Sequence, residues 1–588
     1  MSLLSELSEL FGAAFAELGF DAALGEVVPS QRPELGHFQC NGALAAANQA
    51  GLDPKLLASD ILAGLPSREA FSQLEVAGPG FINVTVTDDH LTAWMGRTAE
   101  DERFGVPSER HPQKILVDYG GPNISKALHI GHLRSAIIGD SLLRHLRFAG
   151  HEVLGDIHIG DWGTPMGMLI AELERRQPDL PYFDPRFEGP YPDVSPVSIE
   201  DLGLIYPAAS ARAQADPDFA EAARVATLEL QRGRPGYVAL WTHFSQVSRA
   251  SHQADFHALG VDFDLWYGES TVKDRLEPLI RRIEASGQAE LSDGALVVPV
   301  SHPEDRKEIP PLMLLRSDGG YLYSTTDLAT IELRVDELAS DVVLYVVDAR
   351  QALHFEQLFR AARKTGIAGD RVHLEHVPFG TVNGPDGKPF RTREGGVVLL
   401  GDVIGMIQHA AMGRLAEAEL AQDYPASERV DIARMVGLAA LKFGDLSNHR
   451  TSNYVFDLER FASFEGKTGP YLQYTGVRMR SILRKAAERS LSPGPTRSPQ
   501  QPEERSLVLL LLRLPEVIAR SIETRAPNHT AEFAYEVATQ FNRFYDQSHV
   551  LSQQDPGIRG SWLSLVATCL GALELILSLL GIDVPDRM

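Results

Sequence analysis

An α/β domain built on a parallel sheet, preceded by a small α+β module and followed by an all-α helix bundle, is the architecture predicted by the order of apolar segments. Three observations carry it. Strand-like runs at 115–117, 153–159, 295–300, 342–347 and 373–377 alternate with helical stretches, as in a parallel sheet covered on both faces. Beyond Leu400 the apolar spacing is helical to the end of the sequence. Before residue 106, an amphipathic opening helix, an Ala-rich helix and one β-branched run form a pattern of their own. The middle region is therefore predicted to be Rossmann-like.

In order along the chain, Leu3, Leu4, Leu7, Leu10, Phe11, Phe15 and Leu18 recur with helical spacing. The segment from Arg32 to Asn41 breaks that pattern, and Gly78-Pro-Gly80 introduces the strand-like Phe81-Ile-Asn-Val-Thr-Val86. Residues 1–106 are thus read as one domain and 107–395 as the α/β domain, with an insertion at about 181–262 where Pro-rich loops give way to helices. Residues 396–588 are read as the helical domain, and the Pro/Ser-rich stretch 490–502 as a mobile loop within it. A length of 588 residues suits several domains, at roughly 100–200 residues each.

Composition narrows the function classes. No basic region followed by an apolar core opens the sequence, so no secretory signal is expected. The two cysteines, Cys40 and Cys569, are far apart and fit a reducing compartment without a disulfide framework. The apolar run 562–580 contains Glu574 and small polar residues, which favours a buried helix over a membrane span. A cytoplasmic protein without membrane association is expected. The net charge of −24 argues against nucleic-acid binding only as a sum, because local clustering decides the matter. Basic residues do cluster at Arg478, Arg480, Arg484 and Lys485, with Lys442, His449 and Arg450 upstream.

The stretch most informative about chemistry is Asp118-Tyr-Gly-Gly-Pro-Asn123-Ile-Ser-Lys126-Ala-Leu-His129-Ile-Gly131-His132-Leu-Arg-Ser135. A strand ending in a Gly/Pro turn that opens a helix presents free N–H groups and the positive end of the helix dipole to a phosphate. His129 and His132, three apart, face one way and can donate hydrogen bonds to phosphate oxygens. Gly131 between them leaves room for a flat base. As metal ligands the two histidines lack a third partner nearby in sequence. This long string resembles the class I aminoacyl-tRNA synthetase signature in its arginyl form, and the chain is identified as a member of the arginyl-tRNA synthetases.

The resemblance implies ATP-dependent ligation of L-arginine to its cognate tRNA through an arginyl-adenylate, with Mg²⁺ accompanying ATP and no zinc. Lys126, His129 and His132 are the expected phosphate donors, with Gly131 at the ATP. The loop Gly384-Pro-Asp-Gly-Lys388-Pro-Phe-Arg391-Thr-Arg393 lies where class I enzymes carry a Lys-Met-Ser-Lys-Ser motif, which is absent here. In the family, the lysine corresponding to Lys126 stands in for the missing loop lysine. Which of Lys388, Arg391 and Arg393 touches ATP stays open, and a plain surface hairpin is the rival reading.

For the substrate guanidinium, carboxylates and a fixed hydroxyl are needed. The family match points to Asp118, Tyr323 and Asp327, with Asn123 and Gln351 at the α-amino end. Asp327 reads equally as a helix N-cap, and Asp118 as a turn-stabilising residue. Asn448, Tyr454, Tyr474 and Arg478 are the expected tRNA contacts, each tyrosine having a core position as its alternative. The N-terminal module resembles the family's appended domain, which contacts the tRNA elbow. A monomer is expected. The rivals are a smaller nucleotidyltransferase sharing His-x-Gly-His and a non-enzymatic tRNA-binding paralogue, the second disfavoured because the phosphate donors are intact.

Overall fold

The computed structural model of the chain describes residues 2–32, 34–317, 319–384, 386–388, 390 and 398–588. Two compact units result. One comprises 109–417 and 436–462, and the other 1–108, 418–435 and 463–588. The division expected from sequence, at 106 and 395, does not follow this interleaving. The helix Leu400–Glu417 belongs with the α/β unit because Leu400 donates its N–H to the carbonyl of Leu128, just before the two histidines.

The α/β unit is organised by a four-stranded parallel sheet in the order His373–His376, Val342–Tyr345, Lys114–Asp118, Glu152–Asp156. Its register aligns His376, Tyr345, Asp118 and Asp156 in one row at the carboxyl ends of the strands. The strand Lys114–Asp118 has its sequence successor on one side and the much later Val342–Tyr345 on the other. That is a topological switch point, where open α/β sheets bind ligands. The segment 295–300 does not join this sheet. Ala295–Val298 pairs antiparallel with Glu290–Ser292 and Leu312–Leu315, its apolar side packing on the core beneath the helix Tyr323–Asp336. Short apolar runs carry no information about which sheet takes them. The chain after Leu400 is not wholly helical either, since Tyr454–Val455 pairs parallel with Val382–Asn383.

The second unit contains an antiparallel sheet ordered Val27–Pro29, Phe38–Cys40, Phe81–Val86, Phe71–Ala77. Leu7, Phe11 and Phe15 of the opening helix Leu3–Glu17 are fully buried. The sheet module joins a bundle of five helices from Gly469–Glu488 to Pro556–Leu579, to which it is tied by Arg505 on Asp88. Pro556–Leu579 is long and apolar enough to cross a membrane, yet two thirds of its most apolar window (67%) is buried. The stretch expected to be a mobile loop lies along this helix. Gly494 donates to the carbonyl of Gly560 (2.9 Å), and Arg497 N–H to Ser561 Oγ (2.9 Å).

Candidate active site

The helix Ile130–Ala149 begins with the two histidines locked into its cap. His129 Nδ1 accepts the N–H of Gly131 at 3.0 Å, and His132 Nδ1 accepts the N–H of His129 at 3.1 Å. The two rings lie 4.1 Å apart. Burial pushes the His132 imidazole down to about 3 and, with the charge of Lys126, lowers that of His129 as well. Both rings are therefore neutral near pH 7. With Nδ1 used as an acceptor, the single proton of each ring must sit on Nε2. Two uncharged N–H donors result at a helix N-terminus, an arrangement suited to phosphate oxygens. The space beside Gly131 is taken by the His129 ring, whose Cε1 would stand 2.7 Å from an added Cβ. Gly131 thus makes room for the cap itself, where the sequence suggested room for a base.

Ahead of the helix, Asn123 bridges to Gly160, and an added Cβ at Gly160 would meet Asn123 Oδ1 at 2.1 Å. Asn123, Gly160, Tyr323, Asp327, Gln351 and Glu269 line a cavity of about 240 Å³. All five residues expected to hold arginine, Asp118 included, thus line one cavity. Asp327 lies inside the helix Tyr323–Asp336, whose N-cap is Leu322, so the capping alternative falls away. Its Oδ2 accepts from His354 Nε2 at 2.7 Å.

Asp118 has a structural partner that the sequence did not announce. Nη2 of Arg334 lies 2.6 Å from Asp118 Oδ2 and 2.7 Å from Asp156 Oδ2, all three groups being buried. A guanidinium from the chain itself occupies the place between these carboxylates and takes up Asp118 Oδ2, while Asp118 also lines the cavity. Burial nevertheless raises Asp118, with Arg334 pulling in the opposite direction. Asp118, Asp156 and His158 also group as a possible metal trio, but Arg334 fills the position a cation would take between the two aspartates.

Glu269 is the acid that sequence reasoning missed. It opens the short helix Glu269–Val272, and its Oε2 accepts the N–H of Trp162 at 3.0 Å. Burial, reinforced by Asp327 and Asp161 and opposed by the Trp162 bond, pushes its carboxyl up to about 7. A single glutamate without a surrounding motif gave no sequence signal. Lys126 and His129 line a second cavity, of about 720 Å³, with Asp255 and Leu399. Lys388 is exposed, in a turn closed by the Gly384 N–H on its carbonyl (2.7 Å). Arg391 and Arg393 lie outside the described residues.

The expected tRNA contacts divide between the units. Tyr454 is a core residue, its ring 5.1 Å from the Arg134 guanidinium, which itself pairs with Asp445 at 3.0 Å. No base can stack there. Asn448 caps the helix Ala426–Leu446, donating to the carbonyl of Gly444 at 2.7 Å. Tyr474 and Arg478 sit together on the helix Gly469–Glu488, half-buried, with Arg478 Nη1 on Asn542 Oδ1 at 2.7 Å. Of the basic residues upstream, Lys442 is buried and donates to the carbonyl of Gly260.

Comparison with known proteins decides the family. The family described as "tRNA synthetases class I (R), catalytic domain" matches residues 98–458, well over half of the chain. The chain belongs to the arginyl-tRNA synthetases. The "Arginyl tRNA synthetase N terminal domain" family matches residues 5–86 of this synthetase, and the "DALR anticodon binding domain" family matches 472–588. The synthetase is 49% identical over 588 residues to the arginine–tRNA ligase of Maricaulis maris, and 47% identical over 587 residues to that of Alkaliphilus oremlandii, each pair matching over 100% of both chains. Its fold is that of the arginyl-tRNA synthetase of Plasmodium falciparum, with a TM-score of 0.82 at 23% identity, covering 100% of this chain and 99% of the other.

Proposed function

We propose that the synthetase binds L-arginine in the 240 Å³ cavity and ATP with its phosphates against His129, His132 and Lys126. As a member of its family it is an arginine–tRNA ligase, which joins arginine to tRNA at the expense of ATP. The arginine carboxylate attacks the α-phosphorus and pyrophosphate leaves. A ribose hydroxyl at the tRNA end then attacks the adenylate carbonyl, the arginyl ester forms and AMP leaves. Neither step needs a side-chain nucleophile, so positioning and charge stabilisation carry the catalysis.

The observation that supports this reading most is the pair of neutral imidazoles whose Nδ1 atoms are engaged by the backbone, directing both Nε2–H donors away from the helix cap. In the cavity, Asp327 and Glu269 are assigned to the guanidinium, Tyr323 adds a hydroxyl, and Asn123 and Gln351 take the α-amino end. Mg²⁺ enters with ATP as part of the substrate. The loop carrying Lys388, Arg391 and Arg393 supplies the outer phosphate contacts. Tyr474 and Arg478 remain the assigned tRNA contacts of the bundle. A cytoplasmic monomer completes the reading.

The test is aminoacylation of total tRNA with each of the twenty amino acids in turn. Arginine alone is expected to be esterified, and only with ATP present. Esterification of another amino acid at a comparable kcat/KM would overturn the assignment of the cavity.

A further inference from the structure

We infer that Tyr206, on the insertion helix Ile199–Ala215, is the positioning residue for Lys126, its ring face fixing the direction of the lysine ammonium. The inference rests on the assignment of Lys126 to the ATP phosphates. Lys126 Nζ lies 4.5 Å from the centroid of the Tyr206 ring, inside the range of about 6 Å for a cation–π contact. Among the described residues no carboxylate pairs with this ammonium. The ring covers one side of the ammonium and leaves N–H donors for the cavity that Lys126 shares with His129.

The lysine backbone is held from a second insertion helix, Pro235–Leu259. Ser125 donates its N–H to Ser248 Oγ at 3.1 Å, and the Lys126 carbonyl accepts from His252 Nε2 at 2.8 Å. Ser248 and His252 are completely buried, so these anchors do not move with solvent. Ser125 sits between them at φ 84°, a left-handed conformation uncommon for residues other than glycine. One insertion helix thus sets the lysine backbone and the other its charged end. A lysine without the aromatic face would have to order its long side chain at every turnover. The ring itself is carried on a turn bracketed by Gly203 and Pro207, where the helix lacks the N–H that would have bonded the Gly203 carbonyl.

Four proteins decide the matter: Tyr206→Leu, Tyr206→Phe, Lys126→Met and the double variant Tyr206→Leu/Lys126→Met. All are assayed for steady-state tRNA arginylation, after thermal melts confirm folding. Tyr206→Leu is expected to lower kcat by roughly 3–30-fold with the arginine KM unmoved, and Tyr206→Phe to restore the rate. Lys126→Met alone should cost about 10²–10³-fold, and Tyr206→Leu should add nothing to it. If Lys126→Met keeps its rate, the assignment of Lys126 is wrong. If Lys126→Met is crippled while Tyr206→Leu matches the parent, or while Tyr206→Leu costs the same factor in both backgrounds, only the role of Tyr206 is overturned.

Discussion

Nε2 of His354 stands 2.7 Å from Oδ2 of Asp327, and the His354 ring lies 4.9 Å from that of Tyr323. The histidine holds one carboxylate oxygen of Asp327, and Tyr323 lines the same cavity. Asp327→Asn keeps this shape and removes a charge. Its arginine KM is expected to rise by about 10–100-fold with the ATP KM unchanged, because a charged hydrogen bond to the guanidinium is worth roughly 1.5–3 kcal/mol. Steady-state arginylation with arginine and ATP varied separately measures this. An unchanged arginine KM would remove Asp327 from the cavity's function.

Glu269 should make arginine binding depend on pH. Its carboxyl titrates at about 7, raised from 4.5 chiefly by burial. Only the ionised form attracts a guanidinium, so the arginine KM is expected to fall as pH rises towards about 7 and then to level off. Glu269→Gln should abolish this slope and raise the KM. A parallel pH profile in the two proteins would exclude Glu269 as its source.

The same group affects stability with a definite sign. Between its ordinary value of 4.5 and its folded value of about 7, the folded protein holds a proton that the unfolded chain releases. Its contribution to stability therefore falls as pH rises through that window and stays low above it. Glu269→Gln keeps an acceptor for the Trp162 N–H and carries no charge. Its melting temperature should match the parent's near the lower end of the window and exceed it progressively towards the upper end. A constant difference across the window would contradict the assignment.

Arg334 is predicted to be a residue of the fold. Arg334→Met leaves Asp118 and Asp156 buried without their shared guanidinium, which should cost about 3–5 kcal/mol of stability. Denaturant unfolding measures the loss. Wild-type stability would mean that the carboxylates find another partner or take up protons without strain.

The parallel strands and the histidine-bearing helix start were legible because each is written locally, in an apolar run or a short motif. The ends of Val342–Tyr345 and His373–His376 fell within two residues of the sequence reading. Long-range pairings were not legible. Arg334 and Asp118 are 216 residues apart, and nothing near either announces the other. The pairing of Asp118 with Arg334, and the packing of Tyr454 against Arg134, therefore left no mark in the sequence. Glu269 shows the converse. Its chemistry comes wholly from the groups the fold brings around it, and in the sequence it is one acid among 79.

The pairing of Asp88 with Arg505 spans 417 residues and joins the first module of the chain to one of its last helices. On a ribosome adding about 5–20 residues per second, the N-terminal sheet emerges roughly 20–80 s before the surface it rests on exists. Through that interval the flank that carries Asp88 faces solvent, nascent chain or a chaperone. The small core of Leu7, Phe11 and Phe15 lacks that support until the later helices arrive to complete the same compact unit.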